Sequence, residues 1–183
     1  MKKIFILAFA SAIISLGASA QEKTVMVGGA AMYPSKNIVE NAVNSKEHTT
    51  LVAAVAAAGL VETLQSAGPF TVFAPVNLAF EKLPAGTVDN LLKPENKKAL
   101  QGVLTYHVVA GRLSAKDLQS WVKKGGGSAE LKTVQGGKLW IMEKDGHWWL
   151  KDENGGTAMI TLADVHQSNG VIHVIDSVVL PKS

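Results

Sequence analysis

From Pro34 to Trp121 the apolar positions recur at the three-and-four spacing of helices. Beyond Gly125-Gly126-Gly127 they fall instead into short runs separated by turns. Pro34-Ser35 introduces a first helix, with Ser35 placed as N-cap and Ile38, Val39, Ala42 and Val43 on its apolar side. Thr49-Thr50 opens a second, Ala-rich helix over Leu51 to Ala58, ended by Gly59. Leu60, Val61 and Leu64 carry a further turn that Ala67-Gly68-Pro69 stops. Phe70 to Pro75 is a β-rich run closed by proline, after which Asn77 is placed to cap a short helix through Phe80 to Leu83. Thr87 can cap another turn, Val88 to Leu92, and Pro94-Glu95 starts a longer helix with Leu100, Val103 and Leu104 on one face. Ser114 and Asp117 have the spacing of a capping box ahead of Leu118 and Trp121.

The second half predicts strands over Glu130 to Val134, Lys138 to Glu143, His147 to Lys151 and Thr157 to Leu162. Asp145-Gly146 is its strongest hairpin signal. A last run, Val171 to Leu180, is rich in Val and Ile and suits a buried strand; Asn169-Gly170 reads as the turn before it, with Gly170 supplying positive φ. Helices followed by strands mean an α+β fold. No internal repeat and no second domain is visible. Residues 21–36 are small and mixed, without a period, and read as a loose leader to a domain over residues 37–183.

The extreme N-terminus has a pattern of its own. Lys2 and Lys3 precede an apolar run from Ile4 to Leu16, and Ala18 and Ala20 then supply a small-x-small cleavage pattern. The run is short for a spanning helix. Residues 1–20 are therefore expected to be a signal peptide cut after Ala20, leaving a soluble chain in the periplasm or the medium.

That cleavage changes the charge. Two of the 18 basic residues leave with the signal, so the mature chain balances 16 against 15 acidic ones. No Lys/Arg run exceeds two residues, and nothing has the clustered positive charge that nucleic acid requires. Hydrophobic residues make up 47%, enough for a real core, and with no Cys the exported chain must rely on packing alone.

No catalytic or phosphate-binding motif is present: neither G-x-S-x-G, H-E-x-x-H, G-x-x-x-x-G-K-[ST], nor G-x-G-x-x-G after a strand. The five histidines (His48, His107, His147, His166, His173) show no metal-ligand spacing, and neither a metal nor a cofactor is expected. His173, between Ile172 and Val174, reads as a core imidazole bonded to backbone. Asp176 faces the other side of the same strand, so the two form no dyad.

Three segments in order carry a resemblance: GPFTVFAPVNLAFEKLP (Gly68 to Pro84), LTYHVVAGRLSAKDL (Leu104 to Leu118) and DVHQSNGVIHVIDSVVLP (Asp164 to Pro181). Together they resemble the fasciclin domain, with Phe73, Ala74, Pro75, Asn77 and Phe80 in the first segment and Asn169, Gly170, His173 and Asp176 in the last. The chain departs from the usual pattern at Val76, where the family has Ser or Thr, and at Leu78, often an acid. The resemblance implies a wedge-shaped fold of angled sheets under a layer of short helices. It also implies adhesion without catalysis, to a protein, a cell surface or extracellular matrix. Tyr106 and His107, with Asp164 and Val165 matching less well, fall where animal members bind receptors. Each of the Tyr106-His107 pair also reads as core packing. Some algal members resemble carotenoid carriers, so a lipophile in a groove lined by Ala, Val, Leu and Trp is the alternative.

The tryptophans add a further candidate. Trp121, Trp140, Trp148 and Trp149 lie within thirty residues, and the adjacent Trp148 and Trp149 must point to opposite faces of a strand. One of them is then available as an outward anchor for a partner. The other possibility is a cross-strand pair that stiffens the hairpin.

Overall fold

A computed structural model describes residues 22–182; the expected signal peptide and its cleavage site lie outside the described residues. The chain opens with a hairpin of β1 (Val25–Val27) and β2 (Ala30–Met32). Five short helices and one strand follow: α1 (Ile38–Ala42), α2 (Thr49–Ala58), α3 (Val61–Gln65), β3 (Phe70–Pro75), α4 (Asn77–Glu81) and α5 (Thr87–Leu91). A 3-10 turn then leads into α6 (Lys97–Tyr106), β4 (Val108–Ala110) and α7 (Ala115–Lys124). The chain finishes with β5 (Ser128–Lys132), β6 (Lys138–Lys144), β7 (His147–Lys151), β8 (Thr157–Gln167) and β9 (Gly170–Ile175). The described helices thus all precede β5–β9, as the change of period predicts, while β1 to β4 lie before and among them.

Seven strands make one curled sheet in the order β4-β3-β9-β8-β7-β6-β5. Every neighbouring pair is antiparallel except β3 and β9. Those two strands form the spine. All six residues of β9 are buried, because both of its faces are covered. On one face Val72, Ala74, Ile172 and Val174 pack against the hairpin and helices α1, α2 and α6. On the other, Phe73 and Ile175 join Tyr106, Leu118, Leu139, Ile141 and Leu150 in a second core. Within the sheet order the two halves of the chain are joined at β3 and β9, and an isolated bridge between Val109 and Thr133 and the shared second core join them again.

Several local expectations shift. Residues 25–32 are not loose: Val27 and Met32 are buried in the first core, 6% and 2% exposed. Their run is too short for a hydrophobic period to be visible. The cap of α1 is Asn37 in a capping box with Glu40, not Ser35, and Gly86 rather than Thr87 stands at the N-cap of α5. The Ser114–Asp117 box opens α7 as its spacing predicts.

Asn77 does not cap α4, whose N-cap is Val76. Instead its Oδ1 accepts the N–H of Thr50 at 3.0 Å and its Nδ2 donates to the Lys46 carbonyl at 2.9 Å. It therefore caps α2 from a distant segment, where His48 stands at the N-cap without capping.

Gly170 is also corrected. Its backbone is not in the positive-φ region; what it supplies is closeness. A Cβ there would lie 2.2 Å from the Phe70 carbonyl oxygen and 2.9 Å from Ile38 Cδ1. Asn169 beside it accepts the Ile38 N–H and donates to the carbonyls of Leu64 and Ser66. Asp145 and Gly146, at φ 55° and 75°, make the predicted β6–β7 turn.

Candidate functional site

Tyr106 and His107 end α6 and are carried inward by it. Tyr106 is fully buried; its hydroxyl donates to the Lys138 carbonyl at 2.6 Å and accepts the Glu153 N–H at 3.2 Å. Burial pushes its pKa up to about 12. His107 is 3% exposed, and burial lowers its pKa to about 4. Val165 is buried as well, at 1% exposure. In this conformation none of the three offers area to a partner.

Asp164 sits in a bulge of β8, where the register with β9 slips between Leu162 and Val165, and it takes φ 59°. Its carboxylate accepts the Ala115 N–H at 2.7 Å, at the first turn of α7. Its own N–H points to His173 Nδ1 at 3.4 Å, while His173 Nε2 donates to the Leu113 carbonyl at 2.8 Å. His173 is stacked on Phe73 with ring centroids 5.6 Å apart. This is the backbone-bonded core imidazole that an apolar run predicts. Asp176 faces elsewhere: it accepts the Met159 N–H at 2.8 Å and pairs with Lys82 at 3.3 Å.

Two features remain open to a ligand or partner. The first is the outer face of the antiparallel strands. Leu139, Ile141 and Leu150 point inward, so Trp140, Met142 and Trp149 point outward. Register places Met142 opposite Trp149, and Trp149 opposite Met159, in one row across β6, β7 and β8. All four side chains are half-buried against each other and solvent. Trp149 Nε1 is covered yet has no acceptor among the described residues. Trp148 lies on the opposite face, packed against the second core.

The second feature is a cavity of about 310 Å³ between α1, α2, α3 and the spine strands. Val55, Leu60, Leu64, Val72, Leu104 and Ile172 are among its walls. Among the described residues no charged side chain lines it, and neither does any tryptophan, which corrects the composition expected for a lipophile groove. Its polar lining includes Ser45 and His48, at the entry to α2. Sequence reading missed these two. The available signal was α2 itself, apolar on all sides but built largely of alanine, which leaves space beside the sheet.

Among the described residues no group of three or more His, Cys, Asp or Glu side chains converges as a metal site. Nor is any described helix long and apolar enough to cross a membrane.

A family model, the fasciclin domain, matches residues 46–181. The chain belongs to the fasciclin domain family. It is 48% identical over 160 residues to the Synechocystis protein sll1483, covering 87% of this chain and 82% of that one. It is 37% identical to the immunogenic protein MPB70 of Mycobacterium bovis, over 75% of this chain and 65% of that protein. Pig transforming growth factor-beta-induced protein ig-h3 is 34% identical over 81% of this chain, which spans only 20% of that longer protein. Among solved structures, a FAS1 domain pair from the insect cell adhesion molecule fasciclin I superposes with TM-score 0.71 at 20% identity, covering 81% of this chain and 52% of the pair. The curled sheet under short helices is therefore the fasciclin fold, and its relatives are implicated in adhesion or binding.

Proposed function

We propose that this fasciclin domain is an exported, non-enzymatic binding module that engages a protein or extracellular-matrix partner through the outer face of its antiparallel sheet. The supporting observation is the Met142–Trp149–Met159 row, flanked by Trp140. Tryptophan is the residue type that dominates binding hot spots, and methionine adapts to a partner's shape. An indole N–H without an acceptor gains a bond by turning to a partner's carbonyl. Similarity to a mycobacterial cell surface glycolipoprotein and to an insect cell adhesion molecule fits this reading.

Labelled mature domain is expected to bind its own cell-envelope material saturably, with affinity falling about tenfold or more in Trp149→Ala, as for an anchor worth about 1.4 kcal/mol or more. Met142→Ser weakens it less, and Tyr106→Phe leaves it unchanged. Equal binding by all variants at equal folding rejects this face.

A second reading, a carrier of a lipophilic small molecule, is supported by the cavity. Its 310 Å³ lies at the small end of the roughly 300–1,000 Å³ of ligand pockets. A forty-carbon carotenoid would leave much of its length outside. Organic extraction of protein purified from its own envelope, followed by mass spectrometry, tests this. A stoichiometric lipophile supports the carrier; an empty protein that also fails to take up an apolar dye rejects it.

A further inference from the structure

The cavity wall has one polar defect. His48 is 3% exposed and lines the cavity, and its Nε2 is buried without a hydrogen-bond partner among the described residues. The other ring nitrogen is occupied: Nδ1 lies 2.9 Å from Ser45 Oγ. The Ser45 hydroxyl has no other acceptor among the described residues, so it donates to Nδ1, and the proton of the neutral ring sits on Nε2. Burial keeps the ring neutral by lowering its pKa. His48, a residue of the wall of an apolar cavity, thus carries a buried ring N–H without a partner among the described residues. Leaving such a donor buried costs free energy that a ligand oxygen recovers.

We propose that the cavity takes a neutral lipophile with one hydrogen-bond-accepting oxygen, a ketone or alcohol on an apolar body, and that the His48 Nε2–H anchors that oxygen. This rests on the carrier reading of the cavity and adds the chemistry of its ligand. Neutrality follows from the walls: no lysine or arginine lines them among the described residues to hold an acid, and the neighbouring Glu47 carboxylate makes the region unfavourable for an anion. The size follows from the volume, which suits a medium-length chain or a small terpenoid. The Ala74 carbonyl is the competing acceptor; it favours protonation of the ring without reaching hydrogen-bond geometry with Nε2.

The test uses 2-undecanone and undecane, titrated into the delipidated mature protein by displacement of an apolar fluorescent dye. Wild type binds both probes. His48→Phe, which keeps the bulk and removes the donor, weakens 2-undecanone by about five- to tenfold, the share of one hydrogen bond, and leaves undecane unchanged. In wild-type protein the His48 Nε2 nitrogen-15 resonance moves on adding 2-undecanone and not on adding undecane; this readout stands even if the variant misfolds. If both probes bind but neither the substitution nor the resonance distinguishes them, the anchor is overturned and the cavity reading survives. If neither probe binds wild type, the cavity reading falls and takes the anchor with it.

Discussion

His107 Nε2 accepts the backbone N–H of Val179 at 3.3 Å, joining the end of α6 to the segment beyond the last strand across 72 residues of chain. Its Nδ1 donates to the Val103 carbonyl at 2.8 Å, so the neutral imidazole has both nitrogens bonded. Protonation would turn Nε2 from acceptor to donor and set it against the Val179 N–H.

Acid should therefore loosen this joint. The folded pKa of His107, about 4, lies below the 6.5 of the unfolded chain, so as pH falls the unfolded state takes up the proton first. Stability is fully present above about pH 6.5 and is lost as pH drops toward 4, by about 3 kcal/mol for this group. His48 and His173, also lowered by burial, add to the loss with the same sign. Denaturant melts at pH 7.5, 6 and 5 should show it, and His107→Asn should remove its share of the slope. An unchanged slope in that variant contradicts the assignment.

Tyr106→Phe removes the hydroxyl that bridges Lys138 and Glu153. A part-buried backbone carbonyl and N–H at the edge of the second core lose their partner, at a cost of about 1–3 kcal/mol. The denaturation midpoint should fall accordingly while partner binding persists. Weakened binding at full stability would restore Tyr106 as a contact residue.

Two glycines should respond in opposite directions to the same substitution. Gly170→Ala drives a Cβ against the Phe70 carbonyl between the spine strands and should destabilise by about 1–3 kcal/mol or more. Gly102 lies inside α6 with open space around its Cβ position, so Gly102→Ala should stabilise by up to about 1 kcal/mol. Paired thermal melts decide both.

Asn169→Ala should be among the costlier polar changes. One amide serves the Ile38 N–H and the carbonyls of Leu64 and Ser66, tying α1 and the end of α3 to the turn before β9. Three backbone groups lose a partner together, with an expected loss of about 2–4 kcal/mol. A loss below about 0.5 kcal/mol in a denaturant titration would show that water replaces the amide freely.

Elements whose cause is local were legible in the chain: the Gly59 stop, the Ser114–Asp117 box, the Asp145-Gly146 turn and the run of β9. Each depends on residues a few positions apart, and the three motif segments added the family. Long-range partnerships were not legible. Asn77 looked like a cap for the helix it begins, but the free N–H it serves belongs to Thr50, 27 residues earlier. Tyr106 and His107 read as core packing first and as a contact surface second, because α6 alone does not say which of its sides the sheet will cover. The same holds for the cavity. Alanines in α2 permit a gap, but only the distance at which that helix rests on the spine strands decides that the gap stays open and that His48 lines it.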